Sequence, residues 1–249
     1  SYEKLEEYLN RWDKNPFVHV HVIGKSTEDK NIYRLVLNDG SESVGEPWVH
    51  YFSNQHAGEH NSQWRMIGMV NYLLGEGRDY LKKSIHHFIF LSSPDAPKHG
   101  WYRVNREGRD LNREYLNSGS DSIKQSREGY LIQRDFEQLM NSKNPPHTAW
   151  AMHTWVGPVE IWMNPGPEVG IKIGNWKEFK EIMIQNDPDS LIEPIQNRPS
   201  TANGSWGNGP NAQFGITNFL CEGGRDFYTK DKNLNSGAII MKSITQYYK

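Results

Sequence analysis

Along this chain the spacing of apolar residues switches repeatedly between the two-residue period of a strand and the longer period of a helix, which restricts the fold more than any other feature. Tyr2, Leu5, Leu9 and Trp12 lie at helical spacing and predict an N-terminal helix over 2–12. Residues 17–23 and 32–37 alternate, ending at Gly24 and at Asn38-Asp39-Gly40, and predict a pair of strands. A third strand follows at 48–52, then a helix over 61–75 with Trp64, Ile67, Val70 and Leu74 on its apolar face. Beyond Gly75 the pattern predicts a buried strand at 85–91, a long polar loop through 92–120 and a helix near 122–140. Strands at 148–152, 159–163 and 216–220 and helices at 176–186 and 238–248 complete the order. The Pro-, Gly- and Asn-rich stretch 187–213 predicts little regular structure, and irregular segments of that length in a compact domain are usually functional loops. The expectation is one α/β domain over 1–249, with a mixed parallel and antiparallel central sheet and helices on both faces.

Composition narrows the chemistry. With 28 Lys and Arg against 30 Asp and Glu, the net charge of −2 leaves no electrostatic footprint for nucleic acid or an anionic membrane. No apolar run approaches the roughly 18 residues that would span a bilayer, so a soluble protein is expected. The opening residues Ser1-Tyr-Glu-Lys-Leu-Glu-Glu have no basic start followed by an apolar stretch, so a signal peptide is absent or already removed. A secreted or periplasmic setting fits the second case, and a monomer is expected. The single cysteine, Cys221, excludes an intramolecular disulfide and any zinc site made of cysteine clusters, leaving His, Asp and Glu as ligands.

Ligands in open α/β sheets bind at the carboxyl ends of the strands. After the strand at 48–52 comes Ser53-Asn-Gln-His56-Ala-Gly-Glu59-His60, after the strand at 148–152 comes His153, and just past the strand at 216–220 comes Glu222. His56 and Glu59 can share one ion if the turn at Ala57-Gly58 brings them together, with His153 as a third ligand across the sheet. Three ligands of this His2Glu kind leave a position open for water, as in catalytic zinc sites, and Glu222 would act as general base.

The loop 101–115 adds a dense group of charges, Trp101-Tyr-Arg103-Val-Asn-Arg106-Glu-Gly-Arg109-Asp-Leu-Asn112-Arg113-Glu-Tyr115. With it, the sequence resembles the zinc carboxypeptidases of the M14 type. The likeness runs through the opening Tyr2 to Leu9 helix, Ile23-Gly-Lys-Ser26, His56-Ala-Gly-Glu59, Gly108-Arg-Asp-Leu-Asn-Arg113, Met152-His153-Thr-Trp155 and Phe219-Leu-Cys-Glu222. Each fragment is modestly specific; their order and spacing together are strong. The resemblance implies one Zn2+ held by His56, Glu59 and His153, with Glu222 activating the water and passing its proton to the leaving amine. It implies that Arg103, or Arg106 if the loop register differs, stabilises the oxyanion. Asn112 and Arg113 resemble the pair that grips the substrate's terminal carboxylate, a task suited to a guanidinium fork.

Departures from the pattern bear on substrate. Members that trim peptides usually carry a tyrosine before the catalytic Glu; residues 197–209 contain none, and Trp206 is the nearest candidate to cover the pocket. The same stretch has no acidic residue, which argues against preference for a C-terminal Lys or Arg. The expected partner is therefore a peptide or acyl amino acid with a free carboxylate. The alternatives are a zinc amidohydrolase acting on acyl amino acids, glycopeptides or peptidoglycan peptides, and an inactive binding module. A further rival, the inverted zinc motif His56-x-x-Glu59-His60 with Glu137 as distant ligand, needs a helix through 56–60, which Gly58 disfavours by about 1 kcal/mol against Ala.

Overall fold

The computed structural model describes residues 1–40, 46–116, 125–164, 175–197, 204–224 and 228–248. Helix α1 (Tyr2–Trp12) leads into an antiparallel hairpin of β1 (Val18–Lys25) and β2 (Asn31–Leu37). Then come β3 (Trp48–Ser53), α2 (His60–Leu74), β4 (Ser84–Ile89) and a single helical turn, α3 (Ala96–His99). After α4 (Arg127–Met140) follow β5 (Thr148–Met152), β6 (Val159–Asn164) and α5 (Trp176–Asn186). The chain continues through β7 (Ile192–Asn197), α6 (Gly209–Phe214), β8 (Thr217–Glu222) and α7 (Lys230–Tyr247).

The strands form one mixed sheet in the order β1-β2-β4-β3-β5-β8-β6-β7. Its centre, β4-β3-β5-β8, is parallel; β2 joins β4, and β6 joins β8, antiparallel. On one face, residues of α1, α2, α5 and α7, including Leu9, Met69, Phe179 and Ile240, bury Phe52, Phe88, Trp150 and Phe219. On the other, Ile132 and Phe136 of α4 pack with Tyr51, Leu111, Tyr115 and Trp206. No helix among the described residues is long and apolar enough to cross a membrane.

The stretch 187–213 is more ordered than its composition predicts. β7 lies within it, at the sheet margin, where Pro194 is tolerated because an edge strand has backbone donors to spare. Gly209-Pro210, within the stretch expected to be irregular, opens α6, since proline at a helix start gives up an N–H that had no partner. The C-terminal helix starts at Lys230 rather than 238, capped by the Thr229 side chain; its first turns pack Leu234 and Gly237 against Gly68 and Arg65 of α2 and bury the polar Asn233 and Ser236, whose side chains bond to the backbone of Thr229 and Asn233. The helix expected from 122 begins at Arg127, capped by Ser126, and positions 122–124 lie outside the described residues.

Candidate active site

β3, β5 and β8 are neighbours in the sheet and run parallel, so their carboxyl ends open onto one edge. Ser53 ends β3 and the chain turns through His56 and Glu59 into α2; His153 follows β5 and its N–H donates to Cys221 O at 2.7 Å; Glu222 ends β8. His56, Glu59 and His153 thereby converge, all buried, with one ligating atom each within 4.8 Å of one another. Glu59 lies between the two rings, Oε1 2.7 Å from His56 Nδ1 and Oε2 2.9 Å from His153 Nδ1. Two imidazole nitrogens and a carboxylate, buried and aimed at each other, are a donor set that fits zinc. Gly58 makes the turn possible by lying under the loop that follows: a Cβ there would sit 2.7 Å from Tyr102 Cα, while Gly58 N donates to Tyr102 O at 2.8 Å.

Hydrogen bonds to the start of α2 lock this arrangement. Thr154 N–H donates to Glu59 Oε2 at 3.0 Å, Ser62 N–H to Thr154 Oγ1 at 3.1 Å, and Asn54 Nδ2 to Met152 O at 2.9 Å. Burial raises the proton affinity of the Glu59 carboxyl, but His153 and His56 outweigh it and hold the group down at about 2. His56 moves the other way: burial disfavours its cation, yet hydrogen bonds to Asp110 and Glu59 prevail and raise its pKa. Glu222 is raised, chiefly by burial.

The loop 101–115 meets the site through Asp110, to which the sequence reading assigned no role. Asp110 Oδ1 lies 2.9 Å from His56 Nε2 and accepts the Asn112 N–H at 2.9 Å, while Oδ2 accepts Arg103 Nε at 2.7 Å. Arg106 turns elsewhere, to Glu28 at 3.1 Å and over the Trp101 ring. Asn112 is buried, its Oδ1 accepting the Trp206 N–H at 2.8 Å; Arg113 is exposed, with Nη1 donating to Asn112 O at 2.8 Å. Asn105 shapes the loop by accepting the N–H groups of Glu107 and Arg109 and donating to Glu128 Oε2 at 2.7 Å. The signal for Asp110 was its place two residues before Asn112; its partner lies 54 positions away and left no trace in local spacing.

Trp206 does not cover a pocket. It is 3% exposed and packs on Tyr51, Tyr115 and Phe136 beneath the site. Residues 198–203 of the segment lacking a tyrosine lie outside the described residues. The inverted zinc motif fails on geometry, because α2 begins at His60, which is exposed, and Glu137 is engaged by Gln133 and Gln213 on α4 and α6. Cys221 is fully buried beside Glu222, and burial pushes its thiol up to about 11, so it acts as an apolar filler.

A mixed sheet carrying a buried His2Glu set and a glutamate at the ends of three adjacent parallel strands defines a metallohydrolase architecture. The sequence profile of the zinc carboxypeptidase family, Peptidase_M14, matches residues 5–153, and the chain belongs to that family. Cytosolic carboxypeptidase 3 of Bos taurus is 32% identical over 134 residues, covering 49% of this chain and 13% of the relative. Cytosolic carboxypeptidase 2 of Danio rerio is 31% identical over 134 residues, covering 49% of this chain and 19% of the relative. The chain thus spans less than a fifth of the length of these curated relatives. Among solved structures, a metallo-carboxypeptidase from Burkholderia cenocepacia superposes with a TM-score of 0.81 at 18% identity, over 100% of this chain and 69% of that one, which shows the fold.

Proposed function

We propose that residues 1–249 form a zinc-dependent carboxypeptidase-like catalytic domain that hydrolyses an amide bond next to a free carboxylate. The observation that carries this reading is the convergence of His56, Glu59 and His153, with Glu222 beside them on β8 and Arg103 tied in through Asp110. Zinc held by the first three would act as a Lewis acid, polarising the scissile carbonyl and acidifying a water. Glu222 takes the water's proton and delivers it to the departing amine, a task its raised pKa favours. Arg103, its Nε anchored on Asp110, turns its remaining guanidinium donors toward the oxyanion. The exposed Arg113 forks the substrate's carboxylate, with Asn112 beside it.

The test is an assay on zinc-quantified protein with peptides bearing free or amidated C-termini, beside N-acyl amino acids and muropeptides, read by mass spectrometry. Release of a single C-terminal residue only from free acids is expected. Equal cleavage of amidated peptides, or deacylation alone, would transfer the substrate assignment to an amidohydrolase.

A further inference from the structure

Arg65 is an anomaly on α2. The neighbouring turns of that helix bury Met66, Met69, Val70 and Leu73, as an amphipathic helix on a sheet should, yet Arg65 is also 0% exposed. A fully buried guanidinium is costly unless its donors are used. Two of them are: Nη1 donates to Gly223 O at 2.7 Å and Nη2 donates to His153 O, and the guanidinium also reaches the Cys221 thiol on β8, while Nε has no hydrogen-bond acceptor among the described residues. The acceptors belong to the backbone of one candidate zinc ligand and of the residue immediately after the candidate base.

Both acceptors lie where the chain leaves the sheet, and among the described residues no backbone N–H is paired with either. Gly223 and Gly224 have φ of +114° and +84°, and a Cβ on Gly223 would fall 1.8 Å from Pro158 O. This glycine segment is threaded between β6 and the helix pair. Asn61, one turn before Arg65 on α2, donates to Gly224 O from the same side. The helix itself cannot retreat, because a Cβ on Gly237 of α7 would lie 1.9 Å from Arg65 O and one on Gly68 would lie 2.0 Å from Leu234 O.

We infer that Arg65 is a positioning residue, a buried clamp that joins the ends of β5 and β8 and sets where His153 and Glu222 stand relative to each other. The inference rests on the functional reading above for the roles of those two residues. An apolar residue at 65 would fill the space but leave two buried carbonyls without donors, releasing both strand ends together. Displacements near 1 Å at a reacting centre cost about 100-fold in rate, so a loosened clamp acts on turnover without touching substrate.

The experiment compares wild type, Arg65→Met and Arg65→Lys at a temperature well below unfolding, reading zinc dissociation by chelator competition and, on zinc-saturated protein, kcat and KM. For Arg65→Met we expect zinc to leave at least tenfold faster and kcat to fall at least tenfold, with KM within about twofold. Arg65→Lys, which keeps the charge but can serve fewer acceptors, should recover part of both. A folded Arg65→Met protein with either zinc dissociation or kcat within twofold of wild type overturns the inference. If Arg65→Met does not fold, Arg65→Lys is judged by the same two limits. A wild type that releases no C-terminal residue speaks against the proposed function, and the zinc readout, which needs no substrate, then decides the clamp.

Discussion

Asp110 and His56 meet at 2.9 Å between Oδ1 and Nε2, from opposite ends of the site's two loops. With Nε2–H given to the carboxylate, the imidazole presents Nδ1 toward Glu59 and His153, the side on which an ion would be held. The other oxygen of Asp110 holds Arg103, so in the proposed mechanism one carboxylate orients both a zinc ligand and the oxyanion cation. Asp110→Asn should therefore weaken zinc binding by about 10- to 100-fold and also lower kcat. Chelator competition beside steady-state rates would check it, and zinc affinity equal to wild type would remove Asp110 from the tautomer role.

Glu222→Gln and His153→Ala separate proton transfer from metal binding. The first variant should keep zinc at full stoichiometry while kcat drops by about 100- to 10,000-fold, the range for loss of a general base. The second should lose zinc and activity together. Metal analysis of the two purified variants, with their rates, decides the assignment; near-wild-type turnover in Glu222→Gln would mean another group is the base.

Arg113 is exposed and spends one donor on Asn112 O, leaving the rest of its guanidinium for a ligand. Replacing it with Met should reduce kcat/KM for free-acid peptides by about 10- to 100-fold, the worth of a charge-assisted pair, with little effect on amidated ones. An equal loss on both substrates would show that Arg113 does not read the carboxylate.

The fold should be acid-labile because it buries neutral histidines. His50 and His86 stack at 5.2 Å between ring centroids inside the sheet's helical cover, and His87 on the opposite face contacts Arg34 Nη1 at 2.9 Å. Burial lowers all three, His86 to about 3; at His87 the Arg34 guanidinium adds to the effect, and at His50 the neighbouring imidazoles further disfavour a second cation among them. Below the ordinary histidine pKa near 6.5 the unfolded chain takes up protons that these folded side chains refuse. Stability is therefore full above that pH and falls as pH drops, by up to about 1.4 kcal/mol per pH unit for each group. His56, Asp135 and Glu222, shifted upward, oppose the fall, while His21 and His147, shifted downward by burial, add to it, so the lowered histidines outnumber the opposing groups. Urea midpoints of the zinc-free protein should fall steadily from pH 7 to pH 5, and a flat profile would contradict neutral burial.

His56, Glu59, His153 and Glu222 could be picked out along the chain because strands of an α/β sheet present their carboxyl ends to ligands and each of these residues follows or ends an apolar run. The same run periods marked the strands of the parallel centre and the amphipathic helices to within a few residues. Where the reading failed, at β7, α6 and the first turns of α7, local composition was overruled by long-range packing: a sheet edge that accepts Pro194 and a helix whose Leu234 and Gly237 close onto α2 while Asn233 and Ser236 are buried.

By itself the sequence determined the α/β class and the residue types available for one His- and Glu-ligated ion, since both follow from periodicity and composition, which are local. Only the tertiary structure decided that β3, β5 and β8 lie side by side, that Asp110 rather than chance spacing links His56 to Arg103, and that Arg65 points inward to two strand ends. Those relationships join positions tens of residues apart, and such pairings are chosen by which buried polar groups can satisfy one another once the layers have packed.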